Sequence, residues 1–156
     1  MQKYKKPKFD YRDLGINPCR NNLKIPVAYL EFKDSFQVDE QGDWLNTKKR
    51  VDNSPNCKLY TSSLNRKLVS KLSPCGKELY LWIMYEIEVG KEALWINRDR
   101  YLEENETSIN TYKKAVEELI KNAIIAYTVV KDVYWINPSY FFSGDRLKMY
   151  PDCLDK

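Results

Sequence analysis

LYLWIMYEIEVGKEALWINRDRYLEENETSINTYKKAVEELIKNAIIAYTVVKDVYWINPSYFFSGD, residues 79–145, is the stretch whose reading decides the fold. Ser73-Pro74 just before it reads as an N-cap followed by proline at the first helical position. The helix that follows is expected to run to about Glu88, with Leu79, Tyr80, Ile83, Met84 and Ile87 on one face and Gly90 closing it. Ala93 to Asn97 is too short and apolar for a surface helix and reads as a strand. Asn97 caps a short helix from Arg98 to about Glu104, with Tyr101 and Leu102 facing inward. After the turn Asn105-Glu106-Thr107, either Thr107 or Ser108 caps a longer helix, Ile109 to Asn122. Ala123 to Val130 and Val133 to Ile136 then read as two strands, with Val130-Lys131-Asp132 at the tip between them.

Helix, short strand, helix, helix, strand pair is the order of a winged helix. The expected fold class is therefore α+β, a three-helix core with a short strand and a β-hairpin wing. That architecture serves mostly to hold one helix in the DNA major groove. The helix in question is Ile109 to Asn122. Ile109, Tyr112, Val116, Leu119 and Ile120 point inward, while Asn110, Lys114, Glu117 and Lys121 point outward, flanked by Thr111, Lys113 and Glu118.

These positions supply the candidate DNA contacts. Ser108, Asn110, Thr111, Lys113 and Lys114 open the helix, where a helix-turn-helix meets base edges and phosphates. Asparagine pairs with adenine, and lysine with guanine or phosphate. Arg98 and Arg100 start the preceding helix, which in this motif crosses the backbone, so both are expected as phosphate clamps. Lys131 at the wing tip is the remaining candidate, with Asp132 beside it working against it. Glu117 and Glu118 also oppose phosphate, unless the helix enters the groove by its N-terminal end. For each of these residues the competing reading is ordinary solvated surface charge.

The rest of the chain is less specific. Residues 1–24 hold seven basic side chains (Lys3, Lys5, Lys6, Lys8, Arg12, Arg20, Lys24) and two acidic ones (Asp10, Asp13), against a net charge of +4 for the whole chain. Such an arm either reaches a polyanion or serves as a solubilising tail. Ile25 to Phe32 reads as a strand, Ser35 to Val38 as a second short one, and 39–43 as a turn. Residues 44–58 are mixed and polar, with Asp52-Asn53-Ser54-Pro55-Asn56 a loop, and Leu64 to Leu72 a short helix. The expected organisation is a basic arm and small strand unit (1–61), a winged helix (62–146) and a polar C-terminal tail (147–156).

Several classes are disfavoured. The 156 residues include no histidine, so Ser-His-Asp, Cys-His and HExxH constellations are impossible. Neither GxxxxGK[ST] nor GxGxxG occurs, and no catalytic residues are expected. Cys19, Cys57, Cys75 and Cys153 form no CxxC, which argues against a zinc site and fits reduced thiols in a cytoplasmic protein. No apolar run reaches membrane-spanning length, so neither a membrane partner nor a cofactor is expected. Most of the twelve tyrosines and four tryptophans are expected in packing, Tyr80, Trp95, Tyr101 and Tyr112 among them. Trp82, Tyr85 and Trp135 are expected outside the core, as marks of a homodimer or partner interface.

The segment resembles the winged-helix region of plasmid replication proteins of the RepL type over roughly residues 64–146. Ser108-Ile109-Asn110-Thr111-Tyr112 and Leu119-Ile120-Lys121-Asn122-Ala123-Ile124-Ile125 carry part of the resemblance. The sharper part is Tyr134-Trp135-Ile136-Asn137-Pro138 followed by Phe141-Phe142-Ser143-Gly144-Asp145, similar to a Y-x-x-N-P then F-x-x-G-[DS] closure. The resemblance implies double-stranded DNA binding in plasmid or phage replication initiation, with host replication proteins as further partners. A transcriptional regulator and a protein-binding component of a phage or mobile element remain open, since a fold does not fix its use.

Overall fold

Ser73 and Pro74 start the helix on which most of the core packs. In the computed structural model, which describes residues 5–38, 44–52 and 62–155, the Ser73 hydroxyl accepts the backbone N–H of Gly76 and helix α2 runs Pro74–Glu86. It follows α1, Ser63–Ser70, whose Leu68 and Val69 lean on the same core. Strand β3 (Ala93–Trp95), α3 (Arg98–Glu104) and α4 (Ile109–Lys121) come next. Asn97 and Ser108 cap α3 and α4 by accepting the N–H groups of Arg100 and Thr111. Strands β4 (Ile125–Tyr127) and β5 (Val133–Ile136) complete a three-stranded antiparallel sheet in the order β3-β5-β4. The molecule is α+β.

Helical periodicity decides what meets what. Leu79, Tyr80 and Ile83 of α2 pack with Tyr112, Ala115 and Leu119 of α4, all at most 3% exposed. Each large apolar side chain buried there stabilises the fold by about 1.5–3 kcal/mol. Helix α4 ends on Ala123 at φ 53°, with the N–H groups of Ala123 and Ile124 bonded back to Ile120 and Leu119. That is the left-handed C-terminal cap usually made by glycine. Strand β4 is accordingly shorter than the expected 123–130.

The segment Asn137-Pro138 ties hairpin to helix. Asn137 donates through Nδ2 to the Ala123 carbonyl at 2.6 Å and accepts the Ser139 N–H at 2.9 Å. The Pro138 carbonyl accepts from Arg146, whose side chain is 4% exposed. Gly144, at φ 126°, sits against Gly90, whose N–H donates to Ser143 at 2.7 Å.

Strand β5 is buried along its whole length, which a sheet with one solvated face does not allow. Leu94, Ile125, Tyr134 and Ile136 face the helices, while Ala93, Val133 and Trp135 face the N-terminal segment. There Phe9, Tyr11 and Leu14 cover the sheet. The segment forms two 3-10 turns, Tyr11–Leu14 and Pro18–Asn22, and Asn17, 1% exposed, donates to the Ile136 carbonyl at 2.9 Å. Residues 5–24 are therefore a cover rather than a free arm. Trp135, expected outside the core, lies beneath it at 4% exposure.

A second sheet has the order β2-β1-β6. Strand β1, Ile25–Val38, pairs antiparallel with β2, Trp44–Asp52, which the polar reading of 44–58 did not anticipate. The pairing sets Tyr29 opposite Arg50 and Glu31 opposite Lys48, with a register irregularity between Lys33 and Val38. The expected loop around Pro55 and the turn at 39–43 lie outside the described residues. The expected polar tail is folded instead. It forms α5 (Arg146–Met149), a 3-10 turn and β6 (Leu154–Asp155), which runs parallel to Ile25 and Pro26. Tyr150, fully buried, packs with Leu23, Ile25 and Phe142.

Candidate nucleic-acid interface

Helix α4 offers solvent the residues its periodicity predicts. Asn110, Lys113, Lys114, Glu117 and Lys121 are exposed, and Thr111 is half-buried. Lys113 and Lys114 make no ion pair among the described residues. The first turn holds no acidic residue, so the positive end of the helix dipole is uncompensated there. Ser108 is spent on the cap, its Oγ 2.9 Å from the Thr111 hydroxyl and 3.2 Å from the Thr111 N–H.

One of the two opposing carboxylates is turned away. Glu118 accepts the Ser73 N–H through Oε1 at 2.8 Å and the Ser73 hydroxyl through Oε2 at 2.5 Å. Its charge stands at the start of α2, where the helix dipole favours an anion. Glu117 remains on the exposed face.

The two arginines of α3, both expected as phosphate clamps, sit in different surroundings. Arg100 is committed within the chain: its Nη atoms donate to Glu86 at 3.0 and 2.9 Å and its Nε donates to Glu104 at 2.6 Å. Trp82 completes that group by donating Nε1–H to the other Glu104 oxygen at 3.0 Å. The Trp82 and Arg100 hydrogen bonds hold the Glu104 carboxyl below its usual range. Arg98 keeps 26% of its side chain exposed, with its Nε 3.6 Å from Asp99. Its charge acts on the buried hydroxyls of Tyr112 and Tyr134, both pushed up chiefly by burial.

Lys131 is exposed at the tip of the β4–β5 hairpin. Thr128 organises that tip, accepting the Val130 N–H at 3.0 Å while its hydroxyl lies 2.8 Å from the Val133 carbonyl. Asp132 adopts φ 61°, and Tyr127 and Val129 are exposed at 63% and 81%.

The aromatic residues are mainly structural. Trp82, Tyr101 and Tyr112 link α2, α3 and α4 through ring centroids 5.6 and 5.4 Å apart, and Tyr127 stands 5.9 Å from Tyr134. Tyr85 alone of the three expected surface aromatics is fully outside, at 76%.

Helix α1 adds basic residues to which the helical spacing of α4 gives no pointer. Arg66, Lys67 and Lys71 are exposed in a segment with no acidic residue, and Arg66 and Lys67 line a shallow open depression with Ser63 and Ser70. Three cations within six residues without an anion was the available signal.

No family model matches the chain, and no solved structure matches it. A curated protein of Zymomonas mobilis subsp. mobilis, named only as a 20.9 kDa protein, is 29% identical over 153 aligned positions, covering 84% of this chain and 82% of the relative. No helix among the described residues is long and apolar enough to cross a membrane.

Proposed function

We propose that residues 62–146 form a winged helix that binds double-stranded DNA. Helix α4 is the reading helix, the β4–β5 hairpin is the wing, and the protein acts in plasmid or phage replication initiation. The element order α2-β3-α3-α4-β4-β5 and the strand order β3-β5-β4 support the architecture. The observation that carries the DNA reading is the start of α4: Asn110, Lys113 and Lys114 are exposed on a helix end without acidic residues, while Glu118 is drawn off to Ser73. Lys113 and Lys114 neutralise phosphates, Asn110 meets a base edge, and Lys131 and Arg98 anchor the flanking backbone. The assignment to replication rests on the resemblance to RepL-type proteins, and recruitment of host replication proteins follows from it.

A salt titration of duplex binding, read by fluorescence anisotropy, tests this. Affinity is expected to fall steeply with salt, and Lys113→Glu with Lys114→Glu to flatten the log–log slope by about two. Binding that ignores salt, or a double variant that binds as the parent does, rejects the proposal. Footprinting on plasmid origins against promoters separates an initiator from a transcriptional regulator. The second reading, a protein-binding winged helix, is favoured by Glu117 on the exposed face and by the apolar Tyr127 and Val129 on the hairpin. It gains if the double variant keeps its activity in cells.

A further inference from the structure

Residues 53–77 carry five basic side chains and no acidic one, in a chain whose net charge is +4. Helix α1 lies inside this stretch, and its spacing sorts it into two faces. Asn65, Leu68 and Val69 turn inward. Leu68 and Val69 lean on the core, and Asn65, 8% exposed, donates through Nδ2 to the Ser139 carbonyl at 2.6 Å. Ser63, Arg66, Lys67 and Ser70, at i, i+3, i+4 and i+7, share the outward face and are all exposed. The core contacts and the Asn65 bond hold that face in a fixed orientation.

Two long cationic side chains there flank two short hydroxyls. Arg66 and Lys67 stand about 100° apart around the helix. The arc between them holds Ser63 and Ser70, and all four line one shallow depression. Neither cation makes an ion pair among the described residues, and nor does Lys71 one turn beyond Lys67. Like charges at i, i+4 repel along a helix face, a repulsion that a bound anion relieves. Guanidinium, ammonium and hydroxyl donors are the set that proteins turn toward phosphate oxygens. Asn65, the one carboxamide of α1, is spent on Ser139, so the face has none with which to read adenine.

We infer that this face of α1 is a phosphate-binding surface that grips the sugar–phosphate backbone of duplex DNA and adds affinity without sequence preference. The inference rests on the double-stranded DNA reading for the identity of the polyanion, though not on α4 as the reading helix. Arg66→Gln with Lys67→Gln keeps good helix formers at exposed positions, so the circular dichroism spectrum and melting temperature should hold. In a salt titration of a mixed-sequence duplex, this pair is expected to flatten the log–log slope by about two and to weaken binding about tenfold or more at about 0.1 M salt. The ratio of affinities for two duplexes of different sequence should stay within about twofold of the parent ratio. Lys8→Gln with Lys148→Gln removes two exposed charges elsewhere and should leave the slope unchanged. Parental slope and affinity in the Arg66 and Lys67 pair overturn the inference. So does an equal loss in the Lys8 and Lys148 pair, or a changed preference between the duplexes. If Lys113→Glu with Lys114→Glu binds as the parent while Arg66→Gln with Lys67→Gln does not, α4 fails as the reading helix and the α1 surface stands. The reverse pattern overturns the α1 surface and keeps α4, and a chain that binds no duplex overturns both.

Discussion

The carboxylate of Glu118, in the third turn of α4, accepts the backbone N–H of Ser73 at 2.8 Å and so caps a helix other than its own. Gly76, one turn into α2, makes room for it: a Cβ at that position would run into the Glu118 carboxylate, with Cδ 2.9 Å away. A helix start with an unsatisfied N–H is thereby joined to the helix proposed to read DNA.

Glu118→Ala should therefore destabilise the protein by about 1–2 kcal/mol, the usual worth of a lost charged cap. Gly76→Ala should cost a similar amount in the parent, but much less in the Glu118→Ala background, where the obstruction is gone. A double-mutant cycle from urea melts checks this, and strict additivity would show that the two residues do not share a site.

Ala123→Gly should stabilise the protein. Alanine at φ 53° pays a steric cost that glycine avoids, and the cap hydrogen bonds to Ile120 and Leu119 are backbone bonds that survive the change. The expected gain is about 0.5–1 kcal/mol, read as a higher midpoint in thermal or urea unfolding. A loss of stability would mean that the alanine methyl contributes more packing than its strain costs.

Arg100→Gln distinguishes an internal brace from a DNA clamp. Because Glu86 and Glu104 already hold the guanidinium at an exposed site, its removal should cost about 1 kcal/mol or less in stability. Duplex affinity should stay within about twofold of the parent, in contrast to the Lys113 and Lys114 reversals. A large loss of affinity with unchanged stability would restore Arg100 to the interface.

Protonation of Glu104 sets a pH dependence. Hydrogen bonds from Trp82 and Arg100 lower its folded pKa below the ordinary 4.5, so its stabilising contribution is fully present above that value. It is lost as pH falls through the lower folded value. The melting temperature of the parent should exceed that of Glu104→Gln at neutral pH, and the two should converge as pH drops below 4.5. A constant difference across the acid range would exclude this carboxylate as its source.

What the sequence made legible was local. Ser73, Asn97 and Ser108 announce helix starts because their side chains bond N–H groups three residues on, and the period of Tyr112, Val116 and Leu119 fixes which side of α4 is wet. What it hid was held by distant partners. Strand β2 carries the charged run Lys48-Lys49-Arg50 and has meaning only through its pairing with β1. Tyr150 sits in a polar stretch, and its burial depends on Leu23 and Ile25. The candidate site divides the same way. Exposure of Lys113 and Lys114 follows from helical spacing, whereas the diversion of Glu118 needs a partner 45 residues away, and the engagement of Arg100 by Glu86 one 14 residues away.

The N-terminal cover has a practical consequence. Trimming residues 1–24 to isolate the C-terminal unit would strip Phe9, Tyr11 and Leu14 from Trp135 and Val133, baring the back of the sheet to water. Sticky, aggregating preparations of such a fragment would reflect that missing lid rather than a failure of the remaining chain to fold.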